Sequence, residues 1–62
     1  MNNIEKVLMN RDGLTATEAI REFNRERSEV LDSIENGATY DDIEEMLLED
    51  MGIEMDYIMD MF

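Results

Sequence analysis

The chain has 62 residues, no cysteine and no histidine, and a formal net charge of −12 at pH 7. These features exclude disulfide bonds and the usual zinc sites, and they favour one small acidic domain, residues 1–62, with a thin margin of stability. No stretch has the apolar length of a membrane span or of a signal peptide, so we expect a cytoplasmic protein.

The charges are divided unevenly along the chain. Residues 1–27 contain five acidic and five basic side chains, whereas residues 28–62 contain twelve acidic side chains and no basic one. An acidic surface of this kind repels phosphates and anionic lipid headgroups. We therefore expect no direct binding to nucleic acid or membrane, and a preference for partners with a basic surface.

The first two helices are predicted from apolar spacing and capping residues. The first covers about residues 3–11 and ends at Gly13, where a left-handed cap residue is expected. Thr15 and Glu18 form a capping box that opens a long second helix, which ends near Gly37. The apolar stripe predicted for this helix consists of Ala19, Ile20, Phe23, Val30, Leu31 and Ile34.

The third and fourth helices follow the same logic. Thr39 and Asp42 predict the start of a helix that ends near Gly52, with Ile43, Met46, Leu47 and Met51 facing inward. The last segment, about residues 55–62, has apolar residues at the i, i+3, i+4 and i+7 spacing of a helix. No run alternates with the period of a strand. The predicted fold is all-α, a small three-helix bundle with a short fourth C-terminal helix.

Enzyme chemistry and metal binding find no support in the pattern of residues. General acid–base catalysis most often uses histidine or a buried carboxylate with a shifted pKa, and no motif marks such a group here. An EF-hand calcium loop requires alternating acidic residues, a central glycine and a glutamate at the twelfth position, and no segment has them. We expect no catalytic residue, no metal site and no cofactor.

Residues 39–58 resemble the first helix, turn and second helix of bacterial helix-turn-helix proteins. The segment that would read DNA contains Asp56 and Asp60 but no Arg, Lys, Asn or Gln, the residues on which base and phosphate contacts mainly depend. A degenerate helix-turn-helix regulator is therefore the alternative hypothesis. In that protein Arg21, Arg25 and Arg27 would have to contact the phosphates.

The C-terminal third, residues 44–62, contains an acidic helix, a glycine, an apolar residue, and then Asp-Tyr-Ile followed by further apolar residues. This order resembles the end of small acidic helical proteins of unassigned function that phages and mobile elements encode. The resemblance implies a small helical protein but no particular mechanism.

Two surfaces are candidates for binding a partner. The first is the acidic face of the third helix, where Asp41, Glu45 and Glu49 follow one another at a spacing of four residues beside Asp42. It could present carboxylates to a basic cleft, in the limit as a mimic of phosphates, or serve only to keep the protein dissolved.

The second candidate surface is the apolar last segment. It is predicted either to bind a partner or a second copy of the chain, or to close an undersized core. Its residues are Met55, Tyr57, Ile58, Met59, Met61 and Phe62.

Arg27 interrupts the apolar stripe of the second helix between Phe23 and Val30. We expect either an ion pair with a carboxylate of the third or fourth helix, or a stem that lies along the core while the guanidinium reaches water.

Taken together, the sequence predicts a protein-binding module without enzymatic activity that binds itself, as a homodimer, or a basic protein partner. An inhibitor of a nucleic-acid enzyme, of the kind that phages encode, is the most specific form of this hypothesis.

Overall fold

The computed structural model describes residues 1–62 and contains helices only. Helix α1 covers Asn3–Asp12, α2 covers Ala16–Glu35, α3 covers Tyr40–Met51, and a C-terminal 3₁₀ helix covers Met55–Met61. The all-α prediction is confirmed, as are the three main helices and the short fourth element. None of the helices is both long and apolar enough to cross a membrane.

Each of the three α-helices begins with a capping box. In each box a side-chain oxygen of the first residue accepts the backbone N–H three positions on, and the carboxylate there accepts an N–H in return. This satisfies two of the backbone donors that a helix start leaves unpaired. The pairs are Asn2 with Glu5, Thr15 with Glu18, and Thr39 with Asp42. The second and third pairs confirm the predicted helix starts.

The end of α3 is held by an arginine from α1. The guanidinium of Arg11 donates to the carbonyl oxygen of Met51 at 2.6 Å and to that of Gly52 at 3.1 Å. Gly52 has a φ of 62°, which places it in the left-handed region as predicted. Since α3 contains no basic residue of its own, the positive charge at its C-terminal end comes from another helix.

The core lies where α1 and α3 pack against α2 and where the 3₁₀ helix packs against α1 and α3. Ten apolar side chains are buried in it: Ile4, Leu8, Ala19, Phe23, Val30, Ile43, Leu47, Met51, Ile53 and Met61.

Part of the apolar stripe predicted for α2 is not buried. Ile20, Leu31 and Ile34 are exposed, although they share the helical spacing of the core residues. Ile20 and Leu31 each follow a fully buried residue, Ala19 and Val30, by one position, which is about 100° around the helix. They therefore lie at the edge of the buried face and not at its centre. Ile34 lies in the last turn of α2.

The last segment is a 3₁₀ helix, so the predicted α-helical spacing of its apolar residues is wrong. A 3₁₀ helix has about three residues per turn, so residues i, i+3 and i+6 share a face. Met55, Ile58 and Met61 accordingly face the core, and Met61 is only 1% exposed. Met59 and Phe62 turn away from the core and are 77% and 59% exposed.

Candidate functional site

The acidic face of α3 is present on the surface as predicted. Asp41, Asp42, Glu45 and Glu49 are all exposed, and three of them follow one line of the helix with ~6 Å of rise between neighbours. Asp42 differs from the others because its Oδ2 accepts the backbone N–H of Thr39 at 2.9 Å. Its carboxylate belongs to the helix cap, whereas those of Asp41, Glu45 and Glu49 accept no hydrogen bond from the rest of the chain.

An exposed leucine lies among these carboxylates. Leu48 is 50% exposed and lies one helical turn after Glu44 and Glu45, which are also on the surface. Tyr40, at the start of the same helix, is exposed as well. The acidic face is therefore a mixed surface on which an apolar side chain is surrounded by negative charge.

The apolar C-terminal segment does not form one continuous surface. Met55, Tyr57 and Ile58 are half-buried and pack against the core, and Met61 belongs to the core. Met61 therefore has the second of the two roles predicted for this segment, closure of the core, and is not exposed to a partner. Only Met59 and Phe62 are freely exposed.

Arg27 forms no ion pair, and its side chain is exposed, as in the second of the two alternatives predicted for it. Its Nε donates to the carbonyl oxygen of Met61 at 2.6 Å. The last carbonyl groups of a helix lack partners within the helix and carry partial negative charge, so a guanidinium is a suitable donor there. The arginines that do pair with carboxylates are Arg11, with Asp12, and Arg25, with Glu22.

A cluster of three carboxylates lies between α2 and α3. Glu26 and Glu29 are one turn apart on α2, Asp50 belongs to α3, and oxygens of the three side chains lie within 4.8 Å of one another. Glu26 is only 1% exposed, and neither of its carboxylate oxygens accepts a hydrogen bond. Buried carboxylates are normally paired, because removing a charge from water is costly.

The other buried carboxylate shows the contrast. Glu5 is also buried, but its Oε1 accepts the backbone N–H of Asn2 at 3.0 Å as part of the first capping box. Glu26 has no such donor. Glu5 therefore has a structural role that explains its burial, whereas the hydrogen bonds of the protein do not explain that of Glu26.

The surroundings of Glu26 raise its pKa to about 7. Burial is the largest cause, since it disfavours the charged form. The next is a hydrogen bond between the carboxyl groups of Glu26 and Asp50, which requires a proton on one of them, and the negative charges of Asp50 and Glu29 add to both. Arg25 lowers the pKa but does not compensate. The space between the three carboxylates thus favours any positive charge, either a proton or a cation.

Sequence reasoning missed this cluster, although one signal was available. Residues 19, 23, 26 and 30 follow the alternating four- and three-residue spacing of a buried helix face, and position 26 is the only charged one among them. The sequence analysis placed the polar interruption of the stripe at Arg27, whereas the buried charged residue is Glu26, one position earlier. Asp50 is 24 positions away, and no sequence pattern links it to Glu26.

The surface also has a depression of about 330 Å³ at the junction of α1 and α2. Four of its five lining residues are charged and only one is apolar: Asp12, Leu14, Glu18, Arg21 and Glu22. It lies apart from the predicted partner surfaces and from the carboxylate cluster. Small-molecule sites are mostly apolar with a few polar groups, and this depression has the opposite composition.

Comparisons with protein-family models, with curated protein sequences and with solved structures found no match to this chain.

Proposed function

We propose that this protein is a binding module without catalytic activity, and that the exposed face of α3 binds a protein partner with a basic, partly apolar surface. The observation that carries the proposal is the position of Leu48, half-exposed among carboxylates on the outer side of α3. Single exposed apolar side chains also occur elsewhere on this protein, and Leu48 supports the proposal because it lies within the row of carboxylates. Charge surrounding an apolar contact is typical of protein interfaces.

The two kinds of side chain would have different roles. The carboxylates of Asp41, Glu45 and Glu49 would attract a basic partner from a distance and increase the rate of association. Leu48 and Tyr40 would then be buried in the complex and slow its dissociation, since a few apolar or aromatic anchors usually carry most of the binding energy.

The most specific form of the proposal is that the partner is a nucleic-acid-binding protein and that α3 occupies its basic cleft. Successive carboxylates on the outer line of α3 are separated by a rise of ~6 Å along the helix axis. Phosphates of one DNA strand rise by ~3.4 Å each along the DNA axis, so two phosphate steps give a similar rise of ~6.8 Å. Such a cleft would accept the carboxylate line in place of a phosphate backbone. Duplex DNA would then compete with this protein for the partner.

The alternative of a degenerate helix-turn-helix regulator has no comparable support. Two of the three arginines that it requires are engaged within the chain, Arg25 by Glu22 and Arg27 by the carbonyl group of Met61. Phosphate contacts would have to replace these interactions.

Affinity capture with matched variants tests the proposal. Tagged protein would be used to capture partners from a lysate of its host, and the captured proteins would be quantified for the wild type, for Glu45→Gln/Glu49→Gln and for Leu48→Ala. The control is Asp32→Asn/Glu35→Gln, which removes the same charge from exposed positions of α2. We expect α3 variants to lose a partner that the control retains, and duplex DNA to displace that partner. Equal loss in both double variants would show that only net charge matters and would contradict the proposed surface.

A further inference from the structure

The carboxylate cluster between α2 and α3 has an unusual feature. Clusters of exposed acidic side chains are common on a chain of this charge, but here one member, Glu26, is almost entirely buried and lacks any hydrogen-bond donor. Its carboxylate points to the same place as those of Glu29 and Asp50, which reach it from the surface. A buried anion that faces two other anions is unfavourable, and either a proton or a cation between them relieves the repulsion.

We propose that Glu26, Glu29 and Asp50 bind a hard divalent cation, with Ca²⁺ preferred over Mg²⁺. Carboxylate oxygens are the ligands that both ions prefer in proteins. Three carboxylates supply up to six oxygens, and the exposed sides of Glu29 and Asp50 allow water to complete the coordination shell.

The coordination chemistry of the two ions favours Ca²⁺. Ca²⁺ binds oxygens at about 2.3–2.6 Å, so ligands on opposite sides of one ion are about 4.6–5.2 Å apart. Oxygens that lie within 4.8 Å of one another can therefore contact a single Ca²⁺. Mg²⁺ requires near-octahedral oxygens at about 2.0–2.1 Å and gives up its water reluctantly, so it suits a dehydrated ligand such as Glu26 less well.

A cation at this place would join α2 to α3. It would neutralise the mutual repulsion of three carboxylates and stabilise the fold whenever it is bound. Asp50 lies on the side of α3 that faces α2, whereas Glu45 and Glu49 lie on the outer side. The cation site is therefore independent of the proposed partner surface, and either proposal can fail without the other.

Calorimetry and thermal unfolding with CaCl₂ and with MgCl₂, at ionic strength matched with KCl, test this site. With three carboxylate ligands we expect a dissociation constant for Ca²⁺ on the order of 10⁻⁴–10⁻³ M, weaker binding of Mg²⁺, and a higher melting temperature in CaCl₂. Glu26→Gln and Asp50→Asn should each weaken Ca²⁺ binding by about tenfold or more. The control Asp41→Asn, which removes one exposed carboxylate from the same helix, should bind Ca²⁺ as the wild type does.

The result that would overturn the site is a wild-type melting temperature that CaCl₂ raises no more than KCl does, or an equal response in Glu26→Gln and Asp41→Asn. Amide chemical shifts of the wild type provide a second measurement that does not depend on any variant's folding. We expect Ca²⁺ to shift the amides around Glu26, Glu29 and Asp50 first. Shifts spread evenly over all exposed carboxylates would mean diffuse binding to the acidic surface and would also overturn the proposal.

Discussion

Arg27 and Met61 are joined by a hydrogen bond of 2.6 Å, from the Nε of the arginine to the carbonyl oxygen of the methionine. The two residues are 34 positions apart, and the bond attaches the end of the 3₁₀ helix to the middle of α2. It also brings a positive charge to the end of a segment that has none of its own.

Removal of this bond should loosen the C-terminal segment. We expect Arg27→Gln to lower the free energy of unfolding by about 1.5–3 kcal/mol, the usual range for a hydrogen bond with one charged partner. Arg25→Gln is the matched control, because it breaks a surface ion pair with Glu22 and removes a weaker attraction to Glu26, and it should cost less than about 1 kcal/mol. Urea unfolding of the two variants measures the difference, and equal stabilities would contradict the assigned role of Arg27.

Substitution of two glycines by alanine distinguishes the cost of backbone strain from the cost of displacing Arg11. Gly13 and Gly52 both have positive φ, so alanine at either position should cost about 1–2 kcal/mol. A Cβ at position 13 would meet nothing within 4 Å, whereas one at position 52 would lie 3.1 Å from Nη1 of Arg11. Gly52→Ala should therefore destabilise the protein by about 1 kcal/mol more than Gly13→Ala, because Arg11 must move away from the carbonyl groups it holds. Thermal unfolding of both variants measures this, and identical melting temperatures would show that Arg11 adjusts freely.

Mild acid should stabilise the protein. The pKa of Glu26 is about 7 in the folded state, above the value of about 4.3 for an unfolded glutamate. Folding therefore takes up a proton, so stability increases as the pH falls through 7 and levels off below about 4.3. A gain of only about 1 kcal/mol would raise the melting temperature by roughly 4–8 °C in a chain of this size.

The pH effect is measured by thermal unfolding between about pH 8 and pH 5 with a chelator present. The charged groups that act on Glu26 are Asp50, Glu29 and Arg25. Glu26→Gln should unfold at a higher temperature than the wild type at pH 8 and lose most of the pH dependence. A wild-type melting temperature that falls steadily over this range would contradict the assignment.

Met61 and Phe62, two adjacent residues at the end of the 3₁₀ helix, should differ strongly in their effect on stability. Met61 is buried, so Met61→Ala should cost about 2–5 kcal/mol. Phe62 is exposed, so Phe62→Ala should change stability by no more than about 0.5 kcal/mol. Chemical denaturation distinguishes the two variants. A larger loss for Phe62→Ala than for Met61→Ala would mean that the segment is packed as an α-helix, with the apolar spacing that the sequence first suggested.

A homodimer formed through the C-terminal segment would depend on Met59 and Phe62, because these are its freely exposed apolar residues. We expect a dimer that tightens as salt is raised from about 0.05 to 0.5 M, because two chains of charge −12 repel each other less when screened. Met59→Ser/Phe62→Ser should sediment as a monomer. Ile20→Ser, which alters an exposed apolar residue on α2, is the control and should associate as the wild type does.

The helices were predictable because their signals are local. Thr15 with Glu18 and Thr39 with Asp42 mark helix starts within four residues, and Gly52 marks an end at the position where it is needed. Such signals depend on neighbouring backbone groups and not on the rest of the fold. They were read correctly from the sequence alone.

The errors concern features that depend on distant parts of the chain. The partner of Arg27 is a backbone carbonyl group, which no residue type reveals. The burial of Met61 follows from a change of helical period, and the seven residues of this element fit either period by composition. Glu26 meets Asp50 only after α2 and α3 have packed, so the cluster could not be found before the fold was known.

The division of charge along the chain also has a consequence for synthesis. A ribosome makes the protein from its N-terminus, so Arg11 and Arg27 emerge before the carbonyl groups of Met51 and Met61 that they will hold. The guanidinium groups of residues 1–27 are thus synthesised before the helix ends that accept their hydrogen bonds, which lie in a part of the chain without basic residues. Residues 28–62 translated alone would have neither arginine, and two of their helix ends would lack the charge that stabilises them in the intact protein.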